Sequence, residues 1–408
     1  MGLGAWGLGF WEVGGWNGIG ENSGVAANYV NIEDLRRAAK QRLPRSVFDY
    51  IDGGADGEVT LRENVRAFED LAFRPRCAVE TPLPDLATSV LGLPINIPVI
   101  LAPVGSSRMF WPRGEEVAAK VAGAFGTIYC LSTLSGCRLE DVRKSTPGAA
   151  WYQLYLCGGR DVAAATVQRA RDVGYSALIL TIDTPVAGLR ERDLRNGAKE
   201  LLTRRMGPML PHIGQFLAKP GWLASFFGDG GLMKFPNVML SDGPMLYADV
   251  GVALEQSVVT WKDLTWIREI WKGPIVIKGV HTGEDARRAV DEGASAIVVS
   301  NHGGRQLDGV RATIQVLPEV IEAVGGRLEV LLDSGVRRGS DVVKALCLGA
   351  RAVLVGRAYA YGLGAAGGPG VTRALEILRA DITRTMKLLG CRTLSDLNKS
   401  YVDVICAR

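Results

Sequence analysis

Residues 296–308, A-I-V-V-S-N-H-G-G-R-Q-L-D, decide how the rest of the chain is read. Ala296–Val299 is an unbroken apolar run rich in β-branched residues, the pattern of a strand buried on both faces, and a polar turn ends it. That strand delivers Ser300, Asn301, His302, Gly303, Gly304 and Arg305 in quick succession. An imidazole three residues from a guanidinium, with two glycines between, lets a titratable group and a fixed cation converge on one small ligand. Histidine takes up a proton near neutral pH, and arginine holds a carboxylate through two parallel hydrogen bonds. Of the three histidines (His212, His281 and His302), only His302 stands at a strand end beside glycines.

Outward from this stretch the same rhythm repeats. Apolar, β-rich runs occur at 98–104, 127–133, 150–156, 177–183, 274–280, 296–301, 328–335 and 352–357, each followed by a turn and a helical pattern. Helical crossovers between strands buried on both faces imply parallel pairing. Eight units of similar length suit a closed (β/α)8 barrel of the α/β class, a TIM barrel, better than an open sheet. The gap from Thr184 to Gly273 is too long for one crossover, so an insertion of roughly 196–257 follows strand four. Its apolar patches, M-G-P-M-L-P-H-I-G, G-W-L-A-S-F-F-G and G-L-M-K-F-P, suit a lid, a packing surface or a membrane contact. No run reaches the about 18 apolar residues that a spanning helix needs.

Before the barrel lies a helical segment. Asn31 is placed to cap a helix with acids in its first turn, and Pro44 separates it from S-V-F-D-Y-I-D, which ends at Gly53-Gly54. Tyr50 on that segment reads by default as a packing residue. Residues 1–24 carry nine glycines, three tryptophans and no lysine or arginine. Glycine this frequent argues against a stable helix, and a secretory signal needs a basic start and an apolar core, so 1–30 reads as a flexible arm before a domain spanning 31–408.

Composition narrows the function. A hydrophobic content of 47% with 22% charged residues describes a chain with a large core. The net charge of +4, without a basic tract, excludes a nucleic-acid partner. Seven scattered cysteines without C-x-x-C spacing fit a reduced cytoplasmic chain and neither a disulfide framework nor a metal site.

A barrel places its chemistry at the C-terminal ends of the strands. Those ends carry Ser132, Gln153, Tyr155, Thr181, Asp183, Lys278, Ser300 to Arg305, Asp333 with Arg337, and Gly356 with Arg357. A core does not need such a polar ring, whereas a bound polar cofactor does. The glycine-rich helix starts D-S-G-V-R-R-G-S-D and V-G-R-A offer backbone N–H groups beside arginines, a phosphate site. Lys278, on the inner end of a strand, is costly without a partner. It suits stabilising the charge of a reduced flavin, and a Schiff base is the competing reading.

With these residues assembled, the chain from about Asn31 to its C-terminus resembles the FMN-dependent L-2-hydroxy acid oxidase/dehydrogenase family, which includes glycolate oxidase, lactate dehydrogenases and mandelate dehydrogenase. S-N-H-G-G-R-Q-L-D (300–308) is the most specific motif, supported by L-P-R-S-V-F-D-Y, F-R-P-R, Q-L-Y, L-T-I-D-T-P, I-K-G-V, D-S-G-V-R-R-G and V-G-R. The resemblance implies His302 as the base and Asp183 as the carboxylate stabilising its protonated form. It implies Arg190, Arg305, Tyr50 and Tyr155 as substrate ligands. It also implies FMN contacts from Pro103, Val104, Gly105, Ser132, Gln153, Thr181, Lys278, Ser300, Asp333, Ser334, Gly335, Val336, Arg337, Gly356 and Arg357.

The implied reaction turns a lactate-like L-2-hydroxy acid into its 2-oxo acid. Either a hydride moves to FMN as His302 takes the hydroxyl proton, or His302 removes the α-proton. Electrons then pass to a quinone, a cytochrome or oxygen. A homotetramer in the cytoplasm, with peripheral contact to a membrane, is the expectation from relatives. Three positions depart from the family pattern: P-V-G-S-S places Gly105 and Ser106 near the ring, Leu134 replaces a tryptophan of plant glycolate oxidases, and Ser334 replaces a glycine. An FMN-dependent isomerase or a peptide-modifying relative is the alternative. The former has no need of His302 and Arg305 with Arg190, and the latter tends to lose the arginine that stands here at 305.

Overall fold

In the computed structural model, all eight apolar runs form strands: β1 (Val99–Leu101), β2 (Tyr129–Ser132), β3 (Ala150–Leu154), β4 (Ala177–Thr181), β5 (Ile275–Val280), β6 (Ala296–Val299), β7 (Glu329–Leu332) and β8 (Ala352–Val355). The residues described are 28–197, 210–255 and 257–405, so the arm expected over 1–30 lies outside them except for 28–30. Neighbouring strands pair in parallel, and β8 returns to β1 with Val353 opposite Val99 and Val355 opposite Leu101, closing the barrel. β4 pairs with β5, Thr181 opposite Lys278, across the whole insertion. Each strand is shorter than its apolar run by one to four residues.

Alternation along the strands organises the interior. One set of positions faces the lumen and forms a dry plug that includes Ile100, Cys130, Trp151, Ile179, Val276, Val298, Leu331 and Leu354. A hairpin of Thr88–Val90 and Leu93–Ile95 adds Val90 and Ile95 to this plug. Two residues further along each strand, the same face carries Ala102, Ser132, Gln153, Thr181, Lys278, Ser300, Asp333 and Gly356. The apolar floor and the polar ring above it are thus one period-two pattern read along eight strands. The alternate positions face outward into the larger core beneath the helices.

Before the barrel, α1 (Ile32–Arg42) starts in a capping box: the Asn31 side chain accepts the Asp34 N–H at 2.9 Å, and Asp34 accepts the Asn31 N–H. α2 (Arg45–Asp52) ends at Gly53 and carries Tyr50. After β7 and β8 come α3 (Gly339–Cys347) and α4 (Arg357–Leu389), and α1 packs along α4.

Between β4 and β5 the chain forms short helices at Glu191–Arg195, Ile213–Leu217 and Pro220–Gly228, a hairpin of Lys234–Leu240 with Gly243–Leu246, and helices Val250–Glu255 and Asp263–Ile270. The Pro220–Gly228 helix packs down onto the domain. Trp222 and Phe226 are buried and stacked at 4.8 Å, and the Trp222 indole donates to the Met109 carbonyl at 2.8 Å. Phe227 on the same helix stays exposed.

Candidate active site

The loop after β6 turns through three consecutive left-handed residues, His302 (φ 57), Gly303 (φ 69) and Gly304 (φ 72). Glycine is required at the last two on grounds of space as well. A Cβ on Gly303 would lie 2.6 Å from the Arg357 guanidinium, and one on Gly304 2.6 Å from the Leu61 backbone nitrogen. The turn aims the His302 ring back across the barrel mouth. Nδ1 sits 3.0 Å from Asp183 Oδ1, and Nε2 lies 3.4 Å from the Tyr155 hydroxyl. Asp183 follows β4, and room for it depends on Gly279 (φ 104), where a Cβ would come within 2.6 Å of the Asp183 Cβ.

Burial alone would raise the Asp183 pKa. The charge and hydrogen bond of His302, with Lys278 and Thr184, outweigh it and bring the carboxyl down to about 2. A group ordinarily titrating near 3.8 that titrates near 2 when folded contributes in full above about pH 4 and loses that contribution as pH falls toward 2. Asp183→Asn is therefore expected to be less stable than the wild type at neutral pH, with the gap closing as pH falls from about 4 toward 2. Urea unfolding across that range measures it. A gap independent of pH would show that the carboxylate is not ionised against His302.

A second cluster gathers beside this pair. Arg305 donates through NH1 to the Tyr50 carbonyl at 2.7 Å and the Gly53 carbonyl at 3.1 Å. Its Nε and NH2 groups donate to no described residue. Its guanidinium lies 5.1 Å from the Tyr50 ring centre, and that of Arg190 lies 5.8 Å from the same ring. Burial, then the charge of Arg190, pull the Arg305 pKa down. Arg190 is held up despite burial by Asp193, which accepts its Nε–H at 2.9 Å. Two guanidiniums on one aromatic ring, with donors left over, form a clamp for an anion. Gln306 ties the loops together: it accepts from Gly188 N–H and donates to the carbonyls of Asp183 and Val186.

The polar ring lies below. The Lys278 Nζ is 3.1 Å from Asp333 Oδ2 and donates to Ser300 Oγ at 3.0 Å. Burial lowers the Lys278 pKa, and Asp333 and Asp183 more than reverse it, so the ammonium stays charged. Ser132 donates to the Gln153 amide oxygen, and the Gln153 amide donates to Thr181. Ser334, left-handed at φ 75, accepts the Gly303 N–H at 3.0 Å and donates to Asp333 at 2.7 Å. A serine at this position therefore bridges the loops after β6 and β7.

One cavity at the C-terminal end of the barrel is lined by Tyr50, Pro103 to Gly105, Ser132, Gln153, Tyr155, Thr181, Arg190, Lys278, His302, Arg305, Asp333 to Arg337, Gly356 and Arg357. Two of the expected site residues stand behind its wall. Asp183 backs His302, and the fully buried Ser300 Oγ accepts from both Lys278 Nζ and the His302 N–H. Arg357 reaches the cavity but donates to the carbonyls of Ile51, Gly303 and Gly53, and burial brings its pKa down to about 9.

The two helix starts differ. Asp341 accepts the N–H groups of Arg337 and Arg338, and Asp381 accepts those of Gly339 and Ser340, so the start of α3 is already satisfied. α4 begins at Gly356 with no side-chain cap, which leaves its first N–H groups for an anion. Sequence reasoning did not single out Thr184, Ala187, Phe235, Tyr247, Val250, Leu254 or Gln306, all of which line the cavity. Of these, Gln306 and Thr184 had a signal in the motifs at 300–308 and 180–185, and Phe235 lies in the apolar patch at 231–236.

A sequence model described as FMN-dependent dehydrogenase matches residues 39–404. The chain belongs to this FMN-dependent family. It is 43% identical over 379 residues to an L-lactate dehydrogenase of a Caulobacter species, covering 90% of this chain and 97% of the relative. It is 41% identical to a peroxisomal (S)-2-hydroxyacid oxidase of Arabidopsis thaliana, covering 91% of this chain and 96% of the relative. Among solved structures it resembles the monotopic membrane protein (S)-mandelate dehydrogenase, with a TM-score of 0.86 and 36% identity over 92% of this chain and all of the other. It also resembles a mandelate oxidase with (S)-2-phenylpropionate, with a TM-score of 0.76 and 35% identity over 92% of this chain and 98% of the other. The cavity fits the family's cofactor: a buried ammonium and neutral polar groups suit a flavin ring and its polyol, and the uncapped start of α4 suits the phosphate.

Proposed function

We propose that this FMN-dependent dehydrogenase/oxidase oxidises an L-2-hydroxy acid to the 2-oxo acid, with L-lactate as the simplest substrate and a quinone or cytochrome as the acceptor. The observation that carries this reading is the His302–Asp183 pair beside two guanidiniums that share the Tyr50 ring. Arg305 and Arg190 hold the substrate carboxylate, and the hydroxyls of Tyr50 and Tyr155 hydrogen-bond to it. This fixes the α-carbon and turns its hydroxyl toward His302. With Nδ1 held by Asp183, Nε2, 3.4 Å from the Tyr155 hydroxyl, is the unprotonated nitrogen and takes the hydroxyl proton. The imidazole becomes cationic in that step, and the Asp183 carboxylate stabilises the charge.

FMN, when bound, would supply the acceptor for the α-hydrogen and the two electrons that leave with it, which together with the hydroxyl proton taken by His302 completes the oxidation. Lys278, Gln153, Ser132 and Thr181 would hold its ring system and ribityl chain, with Asp333 backing Lys278. The α4 start at Gly356, with Arg337 and Arg357 near it, would hold the phosphate. Among the described residues no helix is long and apolar enough to cross a membrane. Exposed Leu210, Leu217 and Phe227 of the insertion support peripheral contact with a membrane, where a quinone acceptor resides.

Anaerobic addition of L-lactate to the yellow protein is expected to bleach the flavin, and admission of air to restore its colour slowly. Immediate recovery in air would replace the quinone or cytochrome by oxygen. A flavin that neither lactate nor any longer or aromatic L-2-hydroxy acid bleaches would overturn the reading.

A further inference from the structure

The two guanidiniums of the clamp reach the Tyr50 ring by different routes. Arg305 is tied directly to the end of α2, through the carbonyls of Tyr50 and Gly53. Among the described residues, the Arg190 guanidinium donates only to Asp193, on the short Glu191–Arg195 helix that Arg190 itself begins. Its place over Tyr50 therefore depends on how that helix is fastened to α2. We infer that Arg192 is a positioning residue for the substrate carboxylate, fastening this helix to the end of α2 so that Arg190 and Tyr50 stay in register. The assignment rests on the 2-hydroxy acid reading, and it falls on a residue that does not line the cavity.

Arg192 grips two carboxylates from different elements. Its NH1 donates to Asp52 Oδ2 at 2.9 Å, with Asp49 Oδ1 3.9 Å away, and its NH2 donates to Glu58 Oε2. Asp52 is the last residue of α2, the helix that carries Tyr50. Glu58 is left-handed (φ 59), and its other carboxylate oxygen accepts the Gly54 N–H at 3.0 Å. A non-glycine residue keeps such a backbone where its surroundings over-determine it, and here one carboxylate bridges Gly54 and Arg192. The Arg192 stem also lies against Gly53, where a Cβ would come 3.5 Å from the Arg192 Cδ. Arg192 thus backs the residue whose carbonyl anchors Arg305.

Asp52 has a second set of partners on its other side. Arg36 of α1 donates to both of its oxygens, at 2.6 and 2.9 Å, and the Tyr361 hydroxyl of α4 donates at 2.8 Å. Removing Arg192 leaves Asp52 satisfied by these groups. Removing Arg36 takes a partner from the same buried carboxylate but leaves the tie to the Arg190 helix in place. The two arginines therefore separate positioning from plain stability.

Arg192→Met, Arg192→Lys and Arg36→Met are compared with the wild type as holoenzymes. Anaerobic flavin reduction is followed with L-lactate, or with whichever longer or aromatic L-2-hydroxy acid reduces the wild type faster. Binding of the matching 2-oxo acid is followed in the oxidised flavin spectrum. Arg192→Met is expected to raise the half-saturating concentration and the 2-oxo acid Kd at least about tenfold, the worth of one charge-assisted hydrogen bond. The saturating reduction rate is expected to change far less, because His302 and Asp183 hang from β6 and β4 and not from α2. Arg192→Lys, with a single point of contact in place of a fork, is expected to fall between, and it carries the test if the methionine variant does not fold. Arg36→Met is expected to lower the urea midpoint and leave both affinities unchanged. Unchanged affinity in the Arg192 variants, or an equal loss in Arg36→Met, overturns the positioning role. A wild type whose flavin is reduced by no L-2-hydroxy acid overturns the reading on which that role rests.

Discussion

Replacing His302 by glutamine is expected to leave a folded, yellow protein whose flavin is reduced by substrate about a thousandfold more slowly, a loss within the range for a general base. The cause is local. The imidazole has Asp183 Oδ1 on Nδ1 at 3.0 Å, which leaves Nε2 to accept a proton. A glutamine amide can donate to the same carboxylate but has no basic atom to receive the hydroxyl proton. The clamp is untouched, because Arg305 is anchored to the Tyr50 and Gly53 carbonyls and Arg190 to Asp193. Substrate affinity is therefore expected to change little while the reduction step slows. Anaerobic stopped-flow mixing separates the two: the saturating rate falls, and the concentration giving half of it stays within a few-fold. An unchanged saturating rate would remove His302 from the base role.

The second large effect is on stability. Lys278 and Asp333 are both buried, and their charged atoms lie 3.1 Å apart. Lys278→Met removes the cation and leaves the Asp333 carboxylate, among the described residues, with only the Ser334 hydroxyl, which donates to it at 2.7 Å. Breaking a buried pair from one side costs about 3–5 kcal/mol, because a charge stays behind without its partner. The variant is expected to lose about that much stability in urea and to purify with little flavin. Adding Asp333→Asn in the same chain removes the stranded charge and is expected to restore part of the stability, but not the flavin. If Lys278→Met alone is as stable as the wild type, the ammonium is not what neutralises Asp333.

The eight strands and the ring above them were legible in the sequence because both rest on short-range patterns. An apolar β-branched run identifies a strand buried on both faces, and the polar residue ending it identifies the barrel mouth. The turn after β6 was equally local. Gly303 and Gly304 are fixed by a left-handed backbone and by contacts that a Cβ would violate, so the motif carries its own geometry. Likewise the Asn31 cap needs only the residue three positions on.

What only the tertiary structure decided depends on closure across long sequence separations. His302 meets Asp183, 119 residues away, because β4 and β6 flank β5 and Gly279 leaves the room. Both helix starts after β7 and β8 read as phosphate sites, yet Asp381, distant in sequence, helps satisfy α3 and leaves α4 open. Ser300 lies behind the wall, joining Lys278 to the His302 backbone. Phe235, Tyr247, Val250 and Leu254 carry no motif, and their place in the cavity comes from the insertion folding back over the barrel mouth. The sequence by itself determined the barrel, its polar ring and the base-bearing turn, because period-two alternation and glycine sterics act between near neighbours. The partners of those groups and the wall of the cavity were decided by the barrel's closure and the insertion's packing, which no local pattern encodes.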